Sequence, residues 1–212
     1  MEKQSIIVLC LGDSLTAGFI QNNLHTPYSE HLAEIFKSQG REDIFLVNEG
    51  VDGDTLEDIL DRLPTLLRQH QYHHVVLLGG TNDLGQILTE DNTTVTPEEA
   101  TAHIAFEPIY GLLMTEDSIK SVLHLTVPYN SFDRLDVHEK NNKDALNRRI
   151  IENHCPKKRV LDLNDPRLQF NHLLMTDDER DKNWQDGLHY SAHGYKRLAD
   201  CIHAELLKII IS

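Results

Sequence analysis

Short apolar runs alternate along this chain with longer stretches in which apolar side chains recur every three or four positions. The runs at residues 6–11, 44–47, 75–78, 122–127 and 160–163 are rich in Ile, Val and Leu. They lack the strict apolar–polar alternation of a half-solvated strand, so they read as strands buried on both faces. Between them, residues 28–38, 56–69, 97–114 and 140–153 carry the helical period, and a last amphipathic stretch follows at 192–210. Strand and helix in regular succession predict a parallel sheet, because parallel neighbours need a crossover long enough to return the chain to the same edge. The third helix has an explicit start: Thr96 can cap it, Pro97 suits the first helical position, and Glu99 completes a capping box. The polar stretches at 86–94 and 164–186 show neither period and read as loops. Both follow strands, so both can wall the edge where the strands end.

With 212 residues, 40% of them hydrophobic and 25% charged, the chain fits one domain spanning 1–212. No repeat or linker interrupts it. A net charge of -14 repels phosphate backbones and anionic surfaces, which argues against a nucleic-acid partner. No apolar stretch approaches the roughly 20 residues that span a bilayer, so stable membrane insertion is not expected. The start of the sequence lacks a basic segment followed by an apolar stretch and a cleavage site, which favours a cytoplasmic protein while leaving a processed secretory leader open. Cys10, Cys155 and Cys201 are odd in number and have no metal-ligand spacing, so reduced thiols are expected.

The first strand runs into Gly12-Asp13-Ser14-Leu15, which places a hydroxyl at the carboxyl end of a sheet strand, where open α/β folds bind ligands. Serine is a weak nucleophile unless a base takes its proton and a third group orients that base. Asp186-Gly187-Leu188-His189, near the other end, can supply both, with His189 as base and Asp186 as orienter. Acyl transfer also needs donors for the oxyanion. The second strand leads into Gly53, whose backbone N–H can approach a ligand closely, and the third ends in Gly79-Gly80-Thr81-Asn82-Asp83, where the Asn82 carboxamide can donate. The Ser14 N–H is the third candidate donor.

These blocks, in this order, resemble those of the SGNH hydrolases of the GDSL esterase/lipase superfamily, and they span residues 12–189. Gly53-Asp54-Thr55 and the following Arg62-Leu63-Pro64, with Gln69-His70-Gln71, are similar to the thioesterase I/lysophospholipase L1 branch. That branch commonly runs Gly-Gly-Asn-Asp, whereas Thr81 here separates Gly80 from Asn82. The resemblance implies a three-layer α/β/α sandwich with a flavodoxin-like sheet, its five strands in the order second, first, third, fourth, fifth. It implies a Ser14–His189–Asp186 triad, an oxyanion hole of Ser14, Gly53 and Asn82, and no cofactor or metal. The implied reaction is hydrolysis of small-molecule carboxylic esters or thioesters, of the acyl-ester, lysophospholipid or acyl-thioester class, through an acyl-enzyme. A carbohydrate O-acetylesterase with the same triad and a catalytically silent module on the same scaffold are the alternatives.

Several residues admit plainer readings. Ser14 could merely cap the first helix, and Asp13 and Asp83 fit the role of holding turns through backbone N–H groups. Trp184 could line a substrate pocket or simply pack its loop. Leu84, Ile87 and Leu88 could form an apolar wall. Of the 13 histidines, His73 and His74 open the third strand at the edge away from the site, His25, His70, His124, His154 and His203 have no partner motif, and His193, four residues after His189, lacks a third metal ligand.

Overall fold

In the computed structural model, residues 5–89 and 95–211 are described, apart from the side chains of Asn23, Leu88 and Thr89. The pattern of buried runs becomes a five-stranded, wholly parallel sheet. Strand β1 (Ile6–Gly12) lies between β4 (Ile44–Gly50) and β5 (His74–Leu78), and β6 (Ser121–Leu125) and β7 (Lys158–Leu161) follow outward. The order β4-β1-β5-β6-β7 is the expected second, first, third, fourth, fifth. Strands β2 (Phe19–Ile20) and β3 (Leu24–His25) pair separately as a small antiparallel hairpin.

Alternate residues of a strand face opposite sides, so each strand feeds two cores. Val8, Cys10, Val76 and Leu123 pack against Leu32 and Phe36 of α2 (Tyr28–Ser38) and Leu198 and Ile202 of α10 (Ala192–Ile211). Leu9, Leu11, Val75 and Val122 pack against Ile59 and Leu63 of α3 (Leu56–Gln69), Ile109 and Leu113 of α6 (Glu107–Thr115), and Leu146 and Ile150 of α8 (Val137–Glu152). The result is the three-layer α/β/α sandwich. Among the described residues no helix is long and apolar enough to cross a membrane.

The expected third helix, 97–114, is broken. Its capping box forms as expected, with Thr96 and Glu99 bonded reciprocally, but α5 covers only Pro97–Ala100 before α6 begins at Glu107. Ile104 and Phe106 are both buried at a spacing of two, which an extended segment satisfies and one helical face does not. Pro108 then falls in the first turn of α6, where a missing N–H costs nothing. Strand β6 stops at Leu125, two residues short of the expected 127, because the Asn147 carboxamide takes both backbone groups of Val127. Strand β7 lies two residues earlier than expected, and α8 begins three residues earlier, at an Asp136 cap.

The expected loop at 86–94 overlaps helix α4 (Thr81–Thr89), and its residues 90–94 lie outside the described residues. The loop at 164–186 contains helix α9 (Asp177–Asn183), capped by Thr176 with Glu179. Two further short helices, α1 (Ser14–Ala17) and α7 (Phe132–Leu135), sit at the carboxyl edge of the sheet.

Candidate functional site

At the end of β1 the chain turns abruptly into α1. A Cβ on Gly12 would stand 2.0 Å from the Leu78 carbonyl oxygen, so only glycine lets β1 approach β5 this closely. Asp13, not Ser14, is the cap: its Oδ1 accepts from the Leu15 N–H at 2.9 Å. Ser14 is the first residue of α1, so its own N–H has no acceptor within the helix and its hydroxyl is free of a capping role.

The hydroxyl has another neighbour. Ser14 Oγ lies 3.0 Å from His189 Nε2, across 175 residues of sequence. On the far side of the ring, His189 Nδ1 lies 2.8 Å from Asp186 Oδ2. A proton on Nδ1 facing that carboxylate leaves the Nε2 lone pair towards Ser14. Asp186 Oδ1 also accepts from the backbone N–H groups of Leu188 at 3.0 Å and His189 at 2.7 Å. Partial burial works to raise the Asp186 pKa, but these bonds from His189 and Leu188 outweigh it and hold the carboxyl below its usual range.

The ring is held from the other side too. Phe19 packs on His189 with ring centroids 4.7 Å apart. Its carbonyl accepts from Gln185 Nε2 at 3.1 Å and from the Tyr195 hydroxyl at 3.1 Å, which ties the β2–β3 hairpin to the loop carrying Asp186. The sequence gives no periodic or motif signal for Phe19.

The donors expected for an oxyanion converge on the same edge. Gly53 sits at φ +84, a conformation that disfavours any side chain, and the space a Cβ would enter is open to 4 Å. Its N–H makes no hydrogen bond among the described residues. Asn82 Nδ2 donates to the Asp54 carbonyl at 2.8 Å, which fixes the carboxamide, and its second N–H has no acceptor among the described residues. Arg62 braces this loop. Its Nε donates to Asp54 Oδ2 at 2.7 Å, and one terminal nitrogen donates to the carbonyls of Gly12 at 3.0 Å and Glu49 at 2.8 Å. Asp83 accepts from the Leu56 N–H at 3.2 Å, joining the start of α3 to α4.

Burial pushes the Asp13 carboxyl up to about 7, against the pull of the Leu15 N–H, and the nearby Asp83 carboxylate adds to the rise. Asp13 and Asp83 therefore hold turns and caps, as their positions suggested, and neither touches His189.

A cavity of about 470 Å³ opens beside these donors. Gly53 and Asn82 form one wall, and Leu84, Phe132 and Leu188 supply apolar surface. Asn130, Glu139 and Lys143 add polar groups to the lining, which the sequence pattern did not foretell. Of the proposed apolar wall, Leu84 lines the cavity, Ile87 is buried in the core, and the Leu88 side chain lies outside the described residues. Trp184 does not line the cavity: it is buried against Tyr190, with centroids 4.3 Å apart, and against His172.

The other histidines stand apart from this edge or serve as struts. His73 Nδ1 accepts from the Ile7 N–H at 3.0 Å, His74 pairs with Ser121, and His124 is buried against Tyr110 and Phe106. Among the described residues no three His, Cys, Asp or Glu side chains are grouped to hold a metal ion.

A parallel sheet of this order thus carries a serine hydroxyl against an imidazole at its carboxyl edge. The chain belongs to the GDSL-like Lipase/Acylhydrolase family, whose model matches residues 10–197. It is similar to an arylesterase from Vibrio mimicus, 37% identical over 76 residues, which make up 36% of this chain and 37% of that protein. The chain thus matches little more than a third of that relative's length. Its fold is similar to that of a lipase/acylhydrolase from Enterococcus faecalis, at 24% identity and a TM-score of 0.66 over 95% of each chain. It is similar too to a catalytic mutant of an acetylxylan esterase from Geobacillus stearothermophilus, at 20% identity and a TM-score of 0.66 over 97% of this chain and 96% of that one. At these identities the structural likeness speaks for the shared fold.

Proposed function

We propose that Ser14, His189 and Asp186 act as a catalytic triad that hydrolyses small-molecule carboxylic esters or thioesters through an acyl-enzyme. The observation that carries this reading is the unbroken chain from Ser14 Oγ through His189 to Asp186, at 3.0 and 2.8 Å. Ser14 Oγ attacks the carbonyl carbon while His189 Nε2 takes its proton, and Asp186 stabilises the imidazolium. The resulting oxyanion meets the N–H groups of Ser14 and Gly53 and the second N–H of the Asn82 carboxamide. Collapse expels the alcohol or thiol, which takes its proton from His189. Water, deprotonated by the same imidazole, then attacks the acyl-serine and frees the acid. No step in this route needs a cofactor.

A series of p-nitrophenyl esters and acyl-CoA thioesters of increasing chain length, offered to the purified protein, tests the reading. Turnover of short-chain members is expected, and the thioester arm decides whether the likeness to the thioesterase branch extends to substrate. Failure to turn over any ester or thioester of the series contradicts the proposal.

A further inference from the structure

Lys143 stands on the wall of the cavity beside Asn82 and Gly53, yet only 1% of its surface is exposed. Its Nζ donates to Asp133 Oδ2 at 2.5 Å, a bond that ties α8 to α7. An ammonium carries three donors, and among the described residues Asp133 is the only acceptor it reaches. Asn130, also buried, repeats the arrangement. Its Oδ1 accepts from the Phe132 N–H at 2.9 Å, while its Nδ2 donates to nothing among the described residues. Two side chains with unused donors therefore meet the same cavity. Glu139, which lines the same cavity, adds an acceptor, and burial raises its pKa although the Lys143 charge opposes this.

The groups that could occupy such a wall are few. An alkyl chain would strand buried donors, which costs their full desolvation. A carboxylate gains little, because Asp133 already neutralises Lys143 and Glu139 adds negative charge beside it. A neutral hydroxyl accepts from Lys143 or Asn130 and donates to Glu139, while Leu84, Phe132 and Leu188 pack against the carbon skeleton that bears it.

We propose that this wall is a subsite for a neutral, hydroxyl-bearing part of the ester, and that Lys143 is its specificity-determining residue. The proposal rests on the hydrolase reading given above. The hydroxyl can belong to the acyl part or to the alcohol part, and matched substrates separate the two. On the acyl side the pair is p-nitrophenyl butyrate and p-nitrophenyl 3-hydroxybutyrate. On the alcohol side it is butyl acetate and glycerol monoacetate.

In the unaltered protein, the hydroxylated member of at least one pair is expected to be favoured by about 10-fold or more in kcat/KM, since sites built to bond a hydroxyl discriminate strongly against its absence. In the Lys143→Met/Asp133→Asn double variant, which leaves no buried charge unpaired, that ratio is expected to fall towards one through KM. Asn130→Asp, which keeps the acceptor for Phe132 and removes the donor, is expected to lower the ratio as well and serves if the double variant does not fold. Alkyl esters turned over with no hydroxyl preference in either pair overturn the subsite and leave the hydrolase reading standing. A preference that survives in the folded variants also overturns it. No turnover of any of the four esters overturns the subsite, and the hydrolase reading falls with it when the ester and thioester series above is not turned over either.

Discussion

The Asn82 carboxamide donates to the Asp54 carbonyl at 2.8 Å, so the two loops proposed to present oxyanion donors hold one another in place. One N–H of Asn82 is spent on this bond, and the residue lines the cavity. Truncating the side chain removes both the donor and the tie. Asn82→Ala is therefore expected to lower kcat by about 10²- to 10³-fold, the usual effect of losing one oxyanion donor, with a much smaller change in KM. Steady-state kinetics on a short p-nitrophenyl ester measures it. A loss in KM alone would show that Asn82 binds the ground state and transition state equally.

Arg62 supports the same loop from below, through the Asp54 carboxylate and the carbonyls of Gly12 and Glu49. Lysine keeps the charge but lacks the planar fork that reaches three acceptors at once. Arg62→Lys is expected to lower kcat by about 10-fold by loosening Gly53 and Asn82, since small misplacements of catalytic groups are costly. It should also depress Tm, by about 2–4 °C for each kcal/mol lost in a chain of this size. Equal kcat in the two proteins would mean that the loop holds its shape without the guanidinium.

Asp13 offers a test by pH. An unfolded aspartate titrates near about 3.9, whereas burial raises the folded carboxyl to about 7. The folded state thus binds the proton more tightly. The stability this gives is complete below the unfolded value and is lost as pH rises towards about 7. Asp13→Asn is neutral throughout and keeps the oxygen that caps Leu15. The Tm of the unaltered protein minus that of the variant is expected to fall by several degrees between about pH 4.5 and about pH 8, at roughly 2–4 °C per kcal/mol. A difference that stays level across this range contradicts a protonated, buried Asp13.

The sheet and the meeting of Ser14, His189 and Asp186 were legible in the sequence because both leave local marks. Buried parallel strands are continuous apolar runs, and Gly-Asp-Ser-Leu and Asp-x-x-His are compact enough to be read in place. What was ambiguous depended on partners distant in sequence. Either Asp13 or Ser14 can cap a helix in isolation, and the turn at Gly12 decides for Asp13. The break in the helix at 97–114 follows from Ile104 and Phe106 both entering the core. Lys143 reads as an ordinary helix residue until α7 folds back and places Asp133 against it. Phe19 and Arg62 act through backbone carbonyls and ring faces that no spacing rule encodes.

The central claim is that Ser14 is the nucleophile, made so by His189. Treating the protein with a fluorophosphonate and measuring intact mass, beside Ser14→Ala, tests it most directly. A single adduct on Ser14 is expected in the unaltered protein and none in the variant, with circular dichroism showing the same fold in both. Equal labelling of the variant, or no labelling of Ser14 in the unaltered protein, would contradict the assignment.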